Sequence, residues 1–157
     1  MWCEAMGKIK AMVIAGSKSD LEKIQPCMDM LESLGIPAEL VVASAHRSPK
    51  KVVDSVRAAE DAGAEVIIAA AGMNAALPGV VAAHTDLPVI GVPLEGGLPG
   101  GLDALFSVVQ MPPGIPVAAV AVGAALNAAV LAARILAIKH EEIAGSLRKY
   151  RESLAEG

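Results

Sequence analysis

Aromatic side chains are nearly absent: the 157-residue chain has one Trp, one Tyr and one Phe. Without several aromatic faces there is no platform on which successive nucleobases could stack. Charge is scarce as well, 19% of residues, against roughly 25% in an average domain. With a net charge of −4 and scattered Lys and Arg, the chain has no basic field, so neither nucleic acid nor an anionic membrane surface is an expected partner. An anionic ligand must then be held by local groups. The two cysteines, Cys3 and Cys27, form neither a CxxC pair nor a Cys/His array, so they are read as free thiols without a functional role, and no cysteine-based metal site is expected.

A secretory leader is also missing from "MWCEAMGKIKAMVIAGS", which has no basic segment followed by a long apolar core and a small-residue cleavage site; a cytoplasmic protein is expected. The stretch 116–138, "PVAAVAVGAALNAAVLAARILAI", has about the length needed to cross a bilayer. Pro116, Gly123, Asn127 and Arg134 interrupt it, and its Val-rich start gives way to Ala and Leu. That pattern predicts a buried strand, a turn and a helix whose small residues suit close packing within or between subunits.

What the chain does have is apolar residues, 54% of the total. A chain of this size folds as one domain burying roughly 70% of its unfolded surface, and the thin polar coat implies apolar contact between subunits. Apolar runs at 9–15, 38–43, 64–71, 87–93 and 115–122 alternate with helical periodicity at about 19–34, 49–62, 75–84, 102–110 and 125–138, and a charged helix spans about 139–155. Strands that are continuously apolar are buried on both faces of a parallel sheet. The predicted fold class is α/β, a doubly wound parallel sheet in a single domain over 1–157, with no repeat or linker. In such sheets ligands bind outside the carboxyl ends of the strands. The residues to inspect are therefore 16–20, 44–49, 72–79 and 93–103.

Two readings fit the first of these, "GSKSD". Ser17 with Asp20, or Ser19 with Glu22, can form a capping box. The same N–H groups can receive a phosphate, with Asp20 on ribose hydroxyls; neither a Walker loop nor a GxGxxG fingerprint is present. In "ASAHRSP", Ser48 and Pro49 read as N-cap and first residue of a helix. His46 and Arg47 are either solvated loop residues or a proton-transfer group beside an anion clamp. His84 falls near a helix end, where it can meet the last carbonyls, and His140 on a solvated helical face. The loop "PLEGGLPGGLD" is a connector or a lid that excludes water.

In combination these segments resemble the PurE family, over about Lys10 to Arg151. The resemblance rests on "GSKSD" at 16–20, "SAHRSP" at 44–49, "ALPGVVAAHTDLPVIGVP" at 76–93, "GLDALFSVVQMPPGIPVAAVAVG" at 101–123 and "NAAVLAARIL" at 127–136. It implies a three-layer flavodoxin-like domain, a homo-octamer with active sites near subunit contacts, the C-terminal helix packing on the oligomer, and a reaction without cofactors. The substrate it implies is an imidazole ribonucleotide, with CO2 as the group moved. The implied activity is N5-carboxyaminoimidazole ribonucleotide mutase, with direct carboxylation of aminoimidazole ribonucleotide (AIR), or of another heterocyclic nucleotide, as alternatives. By motif position Gly16, Ser17, Asp20 and Arg47 would hold the ribose phosphate. Ser44, Ala45, Gly72, Asn74, Ala76 and Leu77 would line the rest of the site, with His46 as general acid and base. The sequence departs from the mutase pattern at Ala76, where that class carries histidine.

Overall fold

The computed structural model describes residues 9–156; Cys3 and the first eight residues of the N-terminal stretch in which no leader is expected lie outside them. Strands Ala11–Ala15 (β1), Ala38–Val42 (β2), Val66–Ala71 (β3), Val89–Pro93 (β4) and Ala118–Ala119 (β5) form one parallel sheet in the order β2-β1-β3-β4-β5. The helices are Leu21–Ser33 (α1), Pro49–Asp61 (α2), Leu77–Ala82 (α3), Leu102–Val109 (α4), Ala125–Leu136 (α5) and Glu141–Ala155 (α6). This strand order is flavodoxin-like, with its reversal between β1 and β3.

Alternation along the strands assigns the two faces. Val13, Ile68 and Ile90 pack with Ile24, Leu31, Ala129, Ala133, Ile143 and Leu147 of α1, α5 and α6. Met12, Ile14 and Ile67 pack with Val52, Val56, Val81, Ala104 and Val108 of α2, α3 and α4. The alanine-rich face of α5 is wholly buried beside α1, so the stretch weighed as a membrane span divides into edge strand, turn and core helix. Among the described residues no helix is long and apolar enough to cross a membrane.

The expectation of five doubly buried strands is met by β1, β3 and β4. β2 and β5 are the sheet edges; β2 exposes Glu39, and β5 is two exposed alanines where a strand over 115–122 was expected. Pro116 has no N–H to extend the ladder before Ala118; pairing is confined to Ile90 and Gly91, with the Val120 N–H bonded to Gly91 O at 3.2 Å.

His140 needs a correction. Its side chain is only 14% exposed, at the N-cap of α6, with Nε2 2.7 Å from Glu65 Oε1. A hydrogen bond across the fold draws the ring inward, a contact that helical periodicity cannot report. α3 is closed as expected at His84, but through its backbone N–H, which donates to Val81 O at 2.9 Å. Cys27 is buried in the core, and burial pushes its thiol up to about 12, which makes it inert.

Candidate active site

The ends of β1, β2 and β3 converge because these strands are neighbours in the sheet. After β1 the chain turns through Gly16 and Ser17 into a short 3₁₀ turn, Lys18–Asp20, that leads into α1. Ser17 caps this turn: its Oγ accepts the Ser19 N–H at 3.3 Å and the Ser19 hydroxyl at 2.9 Å. The Asp20 N–H donates to Ser17 O at 3.1 Å, and the Ser17 backbone acts on the Asp20 carboxyl, so the Ser17–Asp20 pairing is partly realised. The alternative from Ser19 to Glu22 is not, because α1 takes Asp20 as its N-cap.

Asp20 is 7% exposed and the one buried charged side chain among the described residues. Burial raises its carboxyl above the usual range, while Lys23 and the Ser17 N–H act the other way. A carboxylate in that setting is a strong acceptor for hydroxyl donors such as those of a ribose.

After β2, Ser48 and Pro49 open α2 as expected, but the Ser48 hydroxyl does not cap it. It is bonded instead to the backbone of Ser44, accepting its N–H at 3.1 Å and donating to its carbonyl at 3.2 Å. Ser44 Oγ accepts from Arg47 through the backbone N–H at 3.2 Å and through Nε at 3.4 Å. These bonds fold 44–48 into a tight turn that leaves His46 and Arg47 exposed at the strand end. After β3, Gly72 to Ala76 lead into α3, with Asn74 in the left-handed region at φ +46°.

One cleft of about 500 Å³ gathers these segments. It is lined by Gly16, Ser17, Asp20, Ser44, Ala45, His46, Arg47, Gly72, Asn74, Ala76 and Leu77, the residues that the family resemblance assigns to the site. A side hollow of about 350 Å³ continues it past Lys18, Arg47 and Ser48. A larger cavity of about 730 Å³ lies at the opposite, amino-terminal edge of β4 and β5, around His84 and Pro116. That edge holds none of the residues lining the cleft, and in this topology ligands bind at the other one.

The cleft also contains Ser19, Met73, Glu95 and Gly96, which lie within the predicted strand-end segments without an assigned role, and Lys23, which lies outside them. Lys23 follows Asp20 by three positions, a spacing that puts both on one helix face. Its Nζ donates to Glu95 O at 2.6 Å and so fastens the glycine-rich loop to α1. Glu95 Oε1 accepts from the Gly100 N–H at 3.1 Å within that loop.

A family model described as AIR carboxylase matches residues 10–157. The chain is 50% identical over 149 residues to the N5-carboxyaminoimidazole ribonucleotide mutase of Pyrococcus abyssi, covering 95% of this chain and 86% of that one. It is 45% identical over 144 residues to the phosphoribosylaminoimidazole carboxylase of Schizosaccharomyces pombe, covering 92% of this chain but 26% of that protein. A crystal structure of Treponema denticola PurE superposes with a TM-score of 0.82 at 31% identity, covering 93% of this chain and 91% of the other. Matched nearly end to end in sequence and fold, the chain belongs to the AIR carboxylase, or PurE, family.

Proposed function

We propose that the protein is an N5-carboxyaminoimidazole ribonucleotide mutase, moving a carboxylate from N5 to C4 of the imidazole in purine biosynthesis. The observation that carries this reading is the near full-length match to the Pyrococcus abyssi mutase, whereas the carboxylase relative is matched over 26% of its length.

The cleft suits that chemistry. The ribose hydroxyls lie on the buried Asp20, and the phosphate lies toward the side hollow, where Arg47, Lys18 and the serine hydroxyls supply donors. Holding these remote groups supplies binding energy for the reacting centre. The imidazole then lies along 44–46 and 72–77. The N5–carboxyl bond breaks to give CO2, C4 attacks it to form the new C–C bond, and the C4 proton must go to N5. His46 at the rim has the right chemistry to carry that proton, since an imidazole both accepts and donates near neutral pH. Gly72, Ala76 and Leu77 make an apolar wall that retains CO2.

Purified protein is expected to convert the N5-carboxy substrate to the 4-carboxy isomer without added bicarbonate; no turnover would overturn the reading. A second reading, direct carboxylation of AIR, is favoured by Ala76 in the cleft where the mutase class carries histidine. It predicts reaction of AIR only at high bicarbonate, with the N5-carboxy compound merely decaying.

We further propose a cytoplasmic homo-octamer. Supporting it, α4 exposes Leu102, Phe106 and Val109, and Leu98 and the edge strand β5 are exposed as well. A monomer in light scattering would refute the assembly.

A further inference from the structure

We propose that Asp103 is a positioning residue for the reaction: its single carboxylate joins the two loops that close the cleft beyond β3 and β4, and so decides whether CO2 is retained. Oδ2 accepts the Asn74 N–H at 3.2 Å and Oδ1 accepts the Leu98 N–H at 3.1 Å. One of these loops supplies Gly72, Met73, Asn74 and Ala76 to the cleft, and the other Glu95 and Gly96. The loops touch directly, since a Cβ on Gly96 would lie 3.6 Å from Met73 N and 3.8 Å from Gly72 Cα.

Residue 97 has to be glycine for the carboxylate to reach its position, because a Cβ there would stand 2.1 Å from Asp103 Oδ2. Asn74 turns through the left-handed region, which asparagine tolerates better than most residues, and this turn aims its N–H at the carboxylate. Asp103 also sits in the first turn of α4, where the helix end favours a negative charge. The Asn74 N–H above all, with those of Leu98 and Ala104, holds its carboxyl below the usual range, so both oxygens remain acceptors at neutral pH. On the far side Lys23 grips Glu95 O. The segment 94–98 belongs to no strand or helix; it is tied at its ends by Leu94 N–H to Ala71 O at 2.9 Å and by Gly101 N–H to Leu98 O at 3.0 Å, and between them the Lys23 and Asp103 contacts position it, so that it spans from α1 to the Asn74 turn.

The consequence for catalysis rests on the mutase reading. Cleavage of the N5–carboxyl bond leaves CO2 and an electron pair on N5. In a closed cleft C4 captures the CO2 and its proton passes to N5. In an open one CO2 escapes, N5 takes its proton from water, and AIR leaves with its C4–H intact. Asp103 therefore sets the partition between transfer and release.

The test uses substrate labelled with ¹³C in the carboxylate, with NMR reading labelled product against labelled CO2 after subtracting spontaneous decay. Wild type should transfer the label. Asp103→Asn, which loses one acceptor, should raise the released fraction about tenfold and lower kcat more than it changes KM. Gly97→Ala, which displaces the same carboxylate, should reproduce that partition and serves if Asp103→Asn does not fold. Folded variants with wild-type partition overturn the proposal, whatever their rate. Inactive wild type would refute the mutase reading instead. The geometry is then decided by amide exchange: the Asn74 and Leu98 N–H groups should be protected in wild type, and their rapid exchange there would overturn the proposal.

Discussion

Glu65 Oε1 lies 2.7 Å from Nε2 of His140 while Oε2 lies 2.9 Å from Lys139 Nζ, so one carboxylate ties the entrance of β3 to the turn between α5 and α6. Lys10 Nζ, at the entrance of β1, stands 3.9 Å away. The hydrogen bond from Lys139 is the main cause that holds the Glu65 carboxyl below its usual range, with His140 adding to it and partial burial opposing. A carboxyl depressed in the folded state stabilises the fold above its unfolded pKa and loses that effect as pH falls through the lowered value. Glu65→Gln should cost about 1 kcal/mol at neutral pH, as expected for a partly exposed ion-pair network. Urea melts should show the gap narrowing as pH falls below the ordinary carboxylate range; a gap independent of pH would refute the ion-pair account.

Asp20 has the opposite sign. Its carboxyl is raised by burial against the pull of Lys23 and the Ser17 N–H, so its favourable contribution is present below the ordinary carboxylate range and is lost as pH rises through the raised value. At neutral pH the buried charge destabilises the fold in return for an acceptor in the cleft. Asp20→Asn should therefore raise Tm at pH 7, with the advantage shrinking in acid. The same variant should raise KM about tenfold through the lost charged acceptor. A lower Tm at pH 7 would contradict the burial argument.

His46 is exposed at the cleft rim, so His46→Asn should leave the fold intact by circular dichroism. Turnover should fall by about 10²–10⁴, the usual weight of a general acid or base, while affinity for the product nucleotide is retained. Unimpaired turnover would remove His46 from the chemistry.

Arg47 leans on Ser44 Oγ through Nε, a contact that does not involve its two terminal amino groups. Loss of charged hydrogen bonds of about 1.5–3 kcal/mol predicts that Arg47→Ala raises KM roughly ten- to hundredfold with a smaller effect on kcat. Arg47→Lys should recover only part of this, because a lysine cannot offer a planar fork. Unchanged KM for both variants would exclude Arg47 from the site.

Most helix limits lie within two or three residues of those expected, because continuous apolar runs and amphipathic spacing are local signals. The two edge strands departed from expectation, since whether a strand has a neighbour on both sides is a property of the sheet. The same holds for His140, whose partner Glu65 is 75 residues away. Lys23 lay outside the predicted strand-end segments, and Asp103 within one but without a role, for a like reason: they act on Glu95 and Asn74, at separations of 72 and 29 residues.

Composition, periodicity and motif order by themselves determined the α/β class, and placed Gly16–Asp20, Ser44–Arg47 and Gly72–Leu77 after consecutive predicted strands. Parallel strands buried on both faces must be apolar and need helical crossovers, and that requirement is written into any chain that forms them. Tertiary structure alone decided that β1 lies between β2 and β3, which brings three separate turns to one cleft. It also buried Asp20 and set the Asp103 carboxylate between two loops, because desolvation and long-range hydrogen bonds exist only once the layers have packed.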